Sequence, residues 1–244
     1  MRAAAFATTL IWAVAASAQQ PAAPATLTAE QIIEKSIEFS GGRAAMEKIT
    51  SSAVKGNVTL EFAGGMTAAA EILAKAPDKF LMMMTMEGFG QVRQGFDGKV
   101  AWSEDPQNGV RELAGEQAAA MKRQAIFNST LKWKELYPKA EVKGQEKIGD
   151  REVWAVVLTP TEGKPVTQYF DASDFSLVRQ VMTQPSDQGD MEITVDLSDY
   201  RDVDGIKMPF VTKQRLPMGE MSFVFTEMKH NVEIDDARFA KPAN

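Results

Sequence analysis

From about position 53 onward the apolar residues of this chain recur at every second position, the period of a strand whose side chains alternate between two faces. The densest run is Lys79–Met86, Lys-Phe-Leu-Met-Met-Met-Thr-Met. It lies between Ala76-Pro77-Asp78 and the turn signal Glu87-Gly88-Phe89-Gly90. As a strand it places Phe80, Met82, Met84 and Met86 on one face, Leu81 and Met83 on the other. Both faces are apolar, whereas an antiparallel sheet normally leaves one face to water. Something must therefore cover the second face: helices, a ligand, or both. Methionine is a flexible filler of irregular apolar space. The run predicts either a sheet closing around a hydrophobic cavity or an ordinary sandwich core.

The same period predicts further strands at Val54–Phe62, Met66–Lys75, Gln91–Phe96 and Val100–Ser103 in the first half. Met66, Ala68, Ala70 and Ile72 share one face of the second of these. In the second half it predicts Glu141–Lys147, Glu152–Leu158, Val166–Phe170, Leu177–Gln184, Met191–Tyr200, Ile206–Leu216 and Glu220–Asn231. Asp97-Gly98 and Asp204-Gly205 read as hairpin turns, the first of type I′. Helical spacing appears twice. Thr28 and Gln31 form a capping box, with Leu27 and Ile32 as its staple; Ile33 and Ile37 give the apolar stripe, and Gly41-Gly42 the stop. A short second helix follows near Arg43–Ile49. Glu116–Phe127 carries Ala118, Met121, Ala125 and Ile126 at helical spacing, with another short helix at Leu131–Leu136. The expected fold is mainly β (α+β): one antiparallel, half-open barrel of eleven or twelve strands, spanning residues 27–244, with lid or plug helices.

Residues 1–18 read as a secretory signal peptide: Arg2, an apolar stretch Ala3–Ala15, and the cleavage site Ala16-Ser17-Ala18. Residues 19–26 read as a flexible leader. The expected location is the periplasm or the exterior. The chain has no cysteine, which removes disulfides, thiol catalysis and a lipidated N-terminal Cys. With one histidine as well, His230, a transition-metal site is not expected. His230, near the end of the last strand, is expected at the surface or half-buried. The net charge of −6 comes from scattered acids, which argues against nucleic acid and anionic membranes as partners. Asp196, Asp199, Asp202 and Asp204 fail the EF-hand spacing and fit a solvated strand face and its turn better. There is no P-loop, no G-x-G-x-x-G and no nucleophile elbow. No enzyme and no cofactor is expected.

The chemistry that remains is apolar. Trp154, Val156 and Leu158 alternate with Val153, Ala155 and Val157 in a second strand that is apolar on both faces. Phe223 and Phe225 share a face with Met221. The expected cavity lining is Phe62, Ile72, Phe80, Met82, Met84, Met86, Trp102, Met121, Trp154 and Phe223; the alternative is that these side chains fill a solid core. Arg93 would hold a headgroup if it faces inward, and would be solvated if it faces outward.

Several phrases then carry a resemblance: Ala74-Lys-Ala-Pro-Asp-Lys79 before a strand, Gly95-Phe-Asp-Gly98 followed by Ala101-Trp102, and Tyr169-Phe-Asp171 before Leu177-Val-Arg-Gln180. The last is Asp199-Tyr-Arg-Asp-Val-Asp-Gly-Ile-Lys-Met-Pro209. With the overall plan, they resemble the LolA/LolB-type periplasmic lipoprotein-carrier superfamily over roughly residues 28–232. The resemblance implies an incomplete barrel whose concave face binds acyl chains. It also implies a lipid, acylated protein or other hydrophobic ligand, with envelope lipoproteins or a membrane receptor as partners. The expected carrier is a monomer, with helices near Ile32–Ile49 and Glu116–Leu136 gating entry. The alternative is a non-catalytic sensing or protein-interaction module of the same fold.

Overall fold

A computed structural model describes residues 27–186 and 189–243; the expected signal peptide and leader lie outside them. The chain opens with helices α1 (Ala29–Phe39) and α2 (Arg43–Met46). Six strands follow: β1 (Ser51–Leu60), β2 (Met66–Lys75), β3 (Lys79–Met86), β4 (Gly90–Phe96), β5 (Ala101–Asp105) and β6 (Gly109–Glu112). Helix α3 (Gly115–Ala125), a 3-10 turn at Ser129–Lys132 and helix α4 (Trp133–Leu136) come next. Seven more strands complete the sheet: β7 (Lys139–Ile148), β8 (Arg151–Thr159), β9 (Val166–Asp171), β10 (Leu177–Ser186), β11 (Gly189–Val203), β12 (Ile206–Leu216) and β13 (Gly219–His230).

All thirteen strands form one antiparallel sheet, ordered β6-β5-β4-β3-β2-β1-β13-β12-β11-β10-β9-β8-β7. Among the described residues no ladder joins β6 to β7, so the barrel stays open. The strand absent from the sequence reading is β6, Gly-Val-Arg-Glu, too short and polar to show a period. The capping box at Thr28 and Gln31 is formed in both directions. At the hairpin 204–205, Asp204 and Gly205 both take positive φ, 55° and 81°, as a two-residue I′ turn requires. At 97–98 only Gly98 does; the Asp97 carboxylate instead accepts from the Lys99 and Val100 N–H groups, so the turn is not of type I′.

The two apolar faces of β3 are covered by different things. On the inner face, Phe80 joins Phe96, Ala101, Met121 and Ala125, so α3 packs there, with Ile72 and Met82 beside it. Further along that face Met84 and Met86 pack with Val58, Leu60, Ala68, Ala70 and Phe223. At the other arm α1 buries Ile32, Ile33 and Ile37 against Trp133, Val156, Leu158 and Phe170. The outer face is closed by the chain's own C-terminal segment. Leu73, Leu81 and Trp102 pack with Ile234 and Phe239, and Met83 lies against them.

Polar links hold this strap in place. The Trp102 indole Nε1–H donates to the Phe239 carbonyl at 2.9 Å, buried. Lys75 Nζ reaches the Ile234 carbonyl and Asp236, at 2.9 and 2.8 Å. Lys79 also pairs with Asp236, at 2.5 Å. Arg238 pairs with Glu71 at 2.9 Å. The sequence reading required a cover for both faces of β3 but offered helices or a ligand for it; the outer cover is a strap with a single 3-10 turn, Asp236–Phe239.

Phe239 is fully buried, so Phe239→Ala should lower the unfolding free energy by about 3–5 kcal/mol. A denaturation midpoint equal to wild type would show that the strap does not stabilise the sheet. The lysines hold the Asp236 carboxyl down at about 2, against the usual 3.8. A depressed carboxyl stabilises the fold above its unfolded pKa and loses that contribution as pH falls toward the folded value. Wild type should thus lose stability between about pH 4 and pH 2 more steeply than Asp236→Asn, as read by denaturation midpoints at stepped pH.

Candidate binding cavity

The sheet curls enough for its two arms to face one another. Met82 and Gln94, from β3 and β4, line the same cavity as Val166, Gln180 and Ile193 from β9, β10 and β11. In the strand order these are separated by β2, β1, β13 and β12. The cavity measures about 510 Å³. Its apolar wall is Met82, Met182, Ile193, Val195, Met221 and Phe223. Its polar wall is carried largely by glutamines: Gln94, Gln124, Gln180, Gln184 and Gln214. Pairing explains this, because Gln180 opposes Val195, which opposes Gln214, which opposes Met221; all four point to one face. Residues Ala120, Arg123 and Gln124 of α3 close one side, with Tyr137, Pro160 and Lys164 at the opening.

A second cavity of about 390 Å³ lies between α1 and the sheet. Ile33, Phe80, Phe170, Leu177, Leu197 and Tyr200 line it, and Gln124 and Ser129 line both cavities. The segment after α3 is therefore the wall between them. Asn128 fixes this wall. It sits in the left-handed region at φ 52°, and its Nδ2 donates to the Met46 and Ile49 carbonyls at 2.8 and 3.3 Å. The Phe127 N–H donates to the Pro77 carbonyl at 3.0 Å. Asp199 takes a positive φ of 54° just before Tyr200, while the β11–β12 register runs unbroken on either side of it. The Tyr200 hydroxyl donates to the Leu177 carbonyl at 2.7 Å, and its ring meets Phe39 edge-on at 5.3 Å. Burial pushes the Tyr200 and Tyr137 hydroxyls above the usual phenol range, so both remain hydrogen-bond donors at neutral pH.

The residues expected at the site divide into three groups. Met82 and Phe223 line the larger cavity and Phe80 the smaller one. Ile72, Met84, Met86, Met121 and Trp154 share the inner face but pack into the clusters beneath the helices and along the strands. Three expectations need correction. Trp102 lies on the outer face under the strap, because it pairs with Gly95, opposite in parity to Phe96. Arg93 is also outside: it opposes Met83 and Glu104, is ion-paired with Glu104, and stacks over Trp102 with its guanidinium 5.9 Å from the ring centroid. Phe62 is 43% exposed on a 3-10 turn, since β1 ends at Leu60.

His230 also departs from expectation. Its side chain is 5% exposed and lines the smaller cavity; its Nδ1 has no hydrogen bond, with Asp204 Oδ2 3.5 Å away. The other acids of that cluster have local tasks. Asp196 bridges Arg179 and Arg215 at 2.5 and 2.6 Å, Asp199 pairs with Arg201 at 2.5 Å, and Asp202 caps the Gly205 N–H at 3.0 Å. Among the described residues no group of three His, Asp or Glu is placed to hold a metal ion. The glutamine wall, Met182 and Arg123 were missed by the sequence reading. The alternation Gln180, Met182, Gln184 in β10 was the available signal.

No protein-family model matches the chain, and no curated protein compared with it matches significantly. Solved structures do. A DUF1329 family protein from Desulfovibrio piger superposes with a TM-score of 0.60 at 11% identity, covering 87% of this chain and 97% of that one. An outer membrane lipoprotein-sorting protein domain from Vibrio parahaemolyticus gives 0.59 at 13% identity, with 86% and 97% covered. A LolA superfamily protein from Nitrosomonas europaea gives 0.57 at 18% identity, with 88% and 99% covered. The chain thus has a LolA-like fold, a half-open antiparallel barrel with inner helices. Among the described residues no helix is long and apolar enough to cross a membrane.

If Asn128 holds the wall between the cavities, Asn128→Ala should cost about 1–3 kcal/mol, from two lost hydrogen bonds and a less tolerant left-handed residue. Amide exchange over residues 126–130 should speed up in the variant. Unchanged exchange there would show that the segment is held by other contacts.

Proposed function

We propose that this protein is a non-enzymatic carrier that holds a lipid, an acylated protein or another hydrophobic molecule within its curved sheet, and that it works in the periplasm or outside the cell. The observation that carries the reading is the pair of adjoining cavities inside the sheet, about 510 and 390 Å³. Each lies within the roughly 300–1,000 Å³ of small-molecule sites. Packing would otherwise fill such space, since interiors close to crystal density. The LolA-like fold supports the reading, because two of its structural neighbours are a lipoprotein-sorting protein domain and a LolA superfamily protein. The cationic n-region, apolar stretch and A-x-A site of residues 1–18 support export.

A second reading, a partner-binding module, draws on Phe62, Phe89 and Met218, which are 43%, 63% and 57% exposed. They sit on the β1–β2, β3–β4 and β12–β13 turns, at one end of the sheet.

Native mass spectrometry of the exported protein, with solvent extraction of what it holds, separates the two readings. The carrier should arrive with a bound amphiphile of defined mass and should take up a fluorescent fatty acid when emptied. Val195→Trp, which fills the larger cavity, should remove most of that uptake while leaving the fold intact by circular dichroism. A protein that is empty and takes up nothing would favour the partner-binding module. Uptake by the folded variant equal to wild type would move the ligand out of this cavity.

A further inference from the structure

The larger cavity has a charge pattern opposite to that of the whole protein. The chain carries 33 acids against 27 lysines and arginines, yet among the described residues the charged side chains lining this cavity are those of Arg123 and Lys164. Both lie where the last turn of α3 meets the β8–β9 loop. Lys164 is ion-paired with Asp190. Arg123 has no ion pair among the described residues. The loop is shaped around it: Gly163 has φ 98°, and a Cβ there would lie 3.3 Å from the guanidinium Nη2. A residue with a side chain would be strained at that φ and would press on Arg123. Tyr137, whose hydroxyl stays protonated, lines the same opening. The arrangement therefore gathers an unpaired guanidinium, an ammonium and a phenol at the entrance of a space walled inside by Met82, Val195 and Phe223.

Resting on the carrier reading, we infer that this entrance is an anion site, and that the ligand is an amphiphile with a carboxylate or phosphate headgroup held by Arg123 and Lys164. The apolar chain runs inward along the methionines. The guanidinium offers paired N–H donors that match the geometry of either anion, and such charge-assisted bonds are about twice as strong as neutral ones. The glutamine amides beside it, Gln124 and Gln184, supply neutral donors and acceptors to the ester, amide or hydroxyl groups that commonly join a headgroup to its chain.

The test is displacement of the neutral probe N-phenyl-1-naphthylamine from the emptied protein by dodecanoate, dodecyl phosphate and dodecanol. All three have the same chain length and are used below their aggregation limits. Wild type should bind one or both anions roughly tenfold or more tightly than the alcohol, with the gap narrowing as salt is added. Whichever anion gains more names the headgroup. In Arg123→Gln the gap should shrink most of the way while dodecanol binding stays near wild type, and Arg123→Lys should restore part of it. Equal binding of anion and alcohol by wild type, or a preference that survives in the Arg123→Gln, Lys164→Gln double variant, would overturn the anion site and leave the carrier standing. Failure of all three, and of the probe itself, to bind would remove the carrier reading and this inference with it.

Discussion

Two apolar faces on one strand, β3, set the constraint from which the rest of the architecture follows. Phe80 and Leu81 are both buried, on opposite sides of the sheet, so neither side of this region can be left to water. A flat two-layer sandwich would satisfy one face and expose the other. Here the sheet curls, so that its inner face meets α3 and the opposite arm, while the outer face is sealed by residues 232–239. Trp102 shows how closely the seal is built: its ring lies among Leu73, Leu81 and Phe239, and its one polar atom is used by the Phe239 carbonyl. A buried indole needs such a partner.

Curvature also creates the space that the helices do not fill. Thirteen strands in continuous order bring β3 and β4 opposite β9, β10 and β11, and the two short helical groups cover only part of the enclosed face. Where α1 lies, Ile32, Ile33 and Ile37 close the gap against Val156, Leu158 and Phe170. Beside α3, which reaches over only one side, the inward side chains of the sheet are a mixture of Met, Val, Phe and Gln, and the cavity opens. Glutamine at inward positions is costly in a dry core, because each amide needs partners. Among the described residues of this wall, only Gln180 finds a protein amide, accepting from Gln168 Nε2 at 3.2 Å. The remaining inward glutamines line space open to water, and Gln124 and Gln184 are exposed to it.

Much of the fold was legible because strand period and turn chemistry are local. Breaker and turn residues bounded β2, β3 and β12 at their observed ends, and the capping box at Thr28 fixed the start of α1. The site was less legible, because parity says which residues share a face without saying which face is inside. Phe80, Met82, Met84 and Met86 do share the inner face, but the space opens at Phe80 and Met82 and is closed by Val58 and Phe223 around Met84 and Met86. Trp102 was assigned by residue type, and its strand, β5, carries it to the outer face through its pairing with Gly95. Arg93 follows the same rule through Met83. His230 depended on the β11–β12 turn folding back to put Asp204 beside it, a contact no local pattern encodes.

The two helical groups are not equivalent as covers, although the sequence reading assigned gating to both. Helix α1 has a complete capping box and buries three isoleucines almost fully. At roughly 1.5–3 kcal/mol for each such side chain, lifting it from the sheet would cost about 4.5–9 kcal/mol, comparable to the whole stability of a typical domain. Helix α3 begins without a side-chain cap and contributes Met121 with two alanines, Ala118 and Ala125, to its contact with the sheet. An alanine contact is small, and a missing cap leaves orphan N–H groups to water. The element that separates the cavity from solvent at the Arg123 end is thus the more weakly anchored one. Helix α1 is a fixed wedge that keeps the far arm of the sheet in place, whereas α3 is held by a smaller apolar contact and by the hydrogen bonds of Phe127 and Asn128 just beyond it.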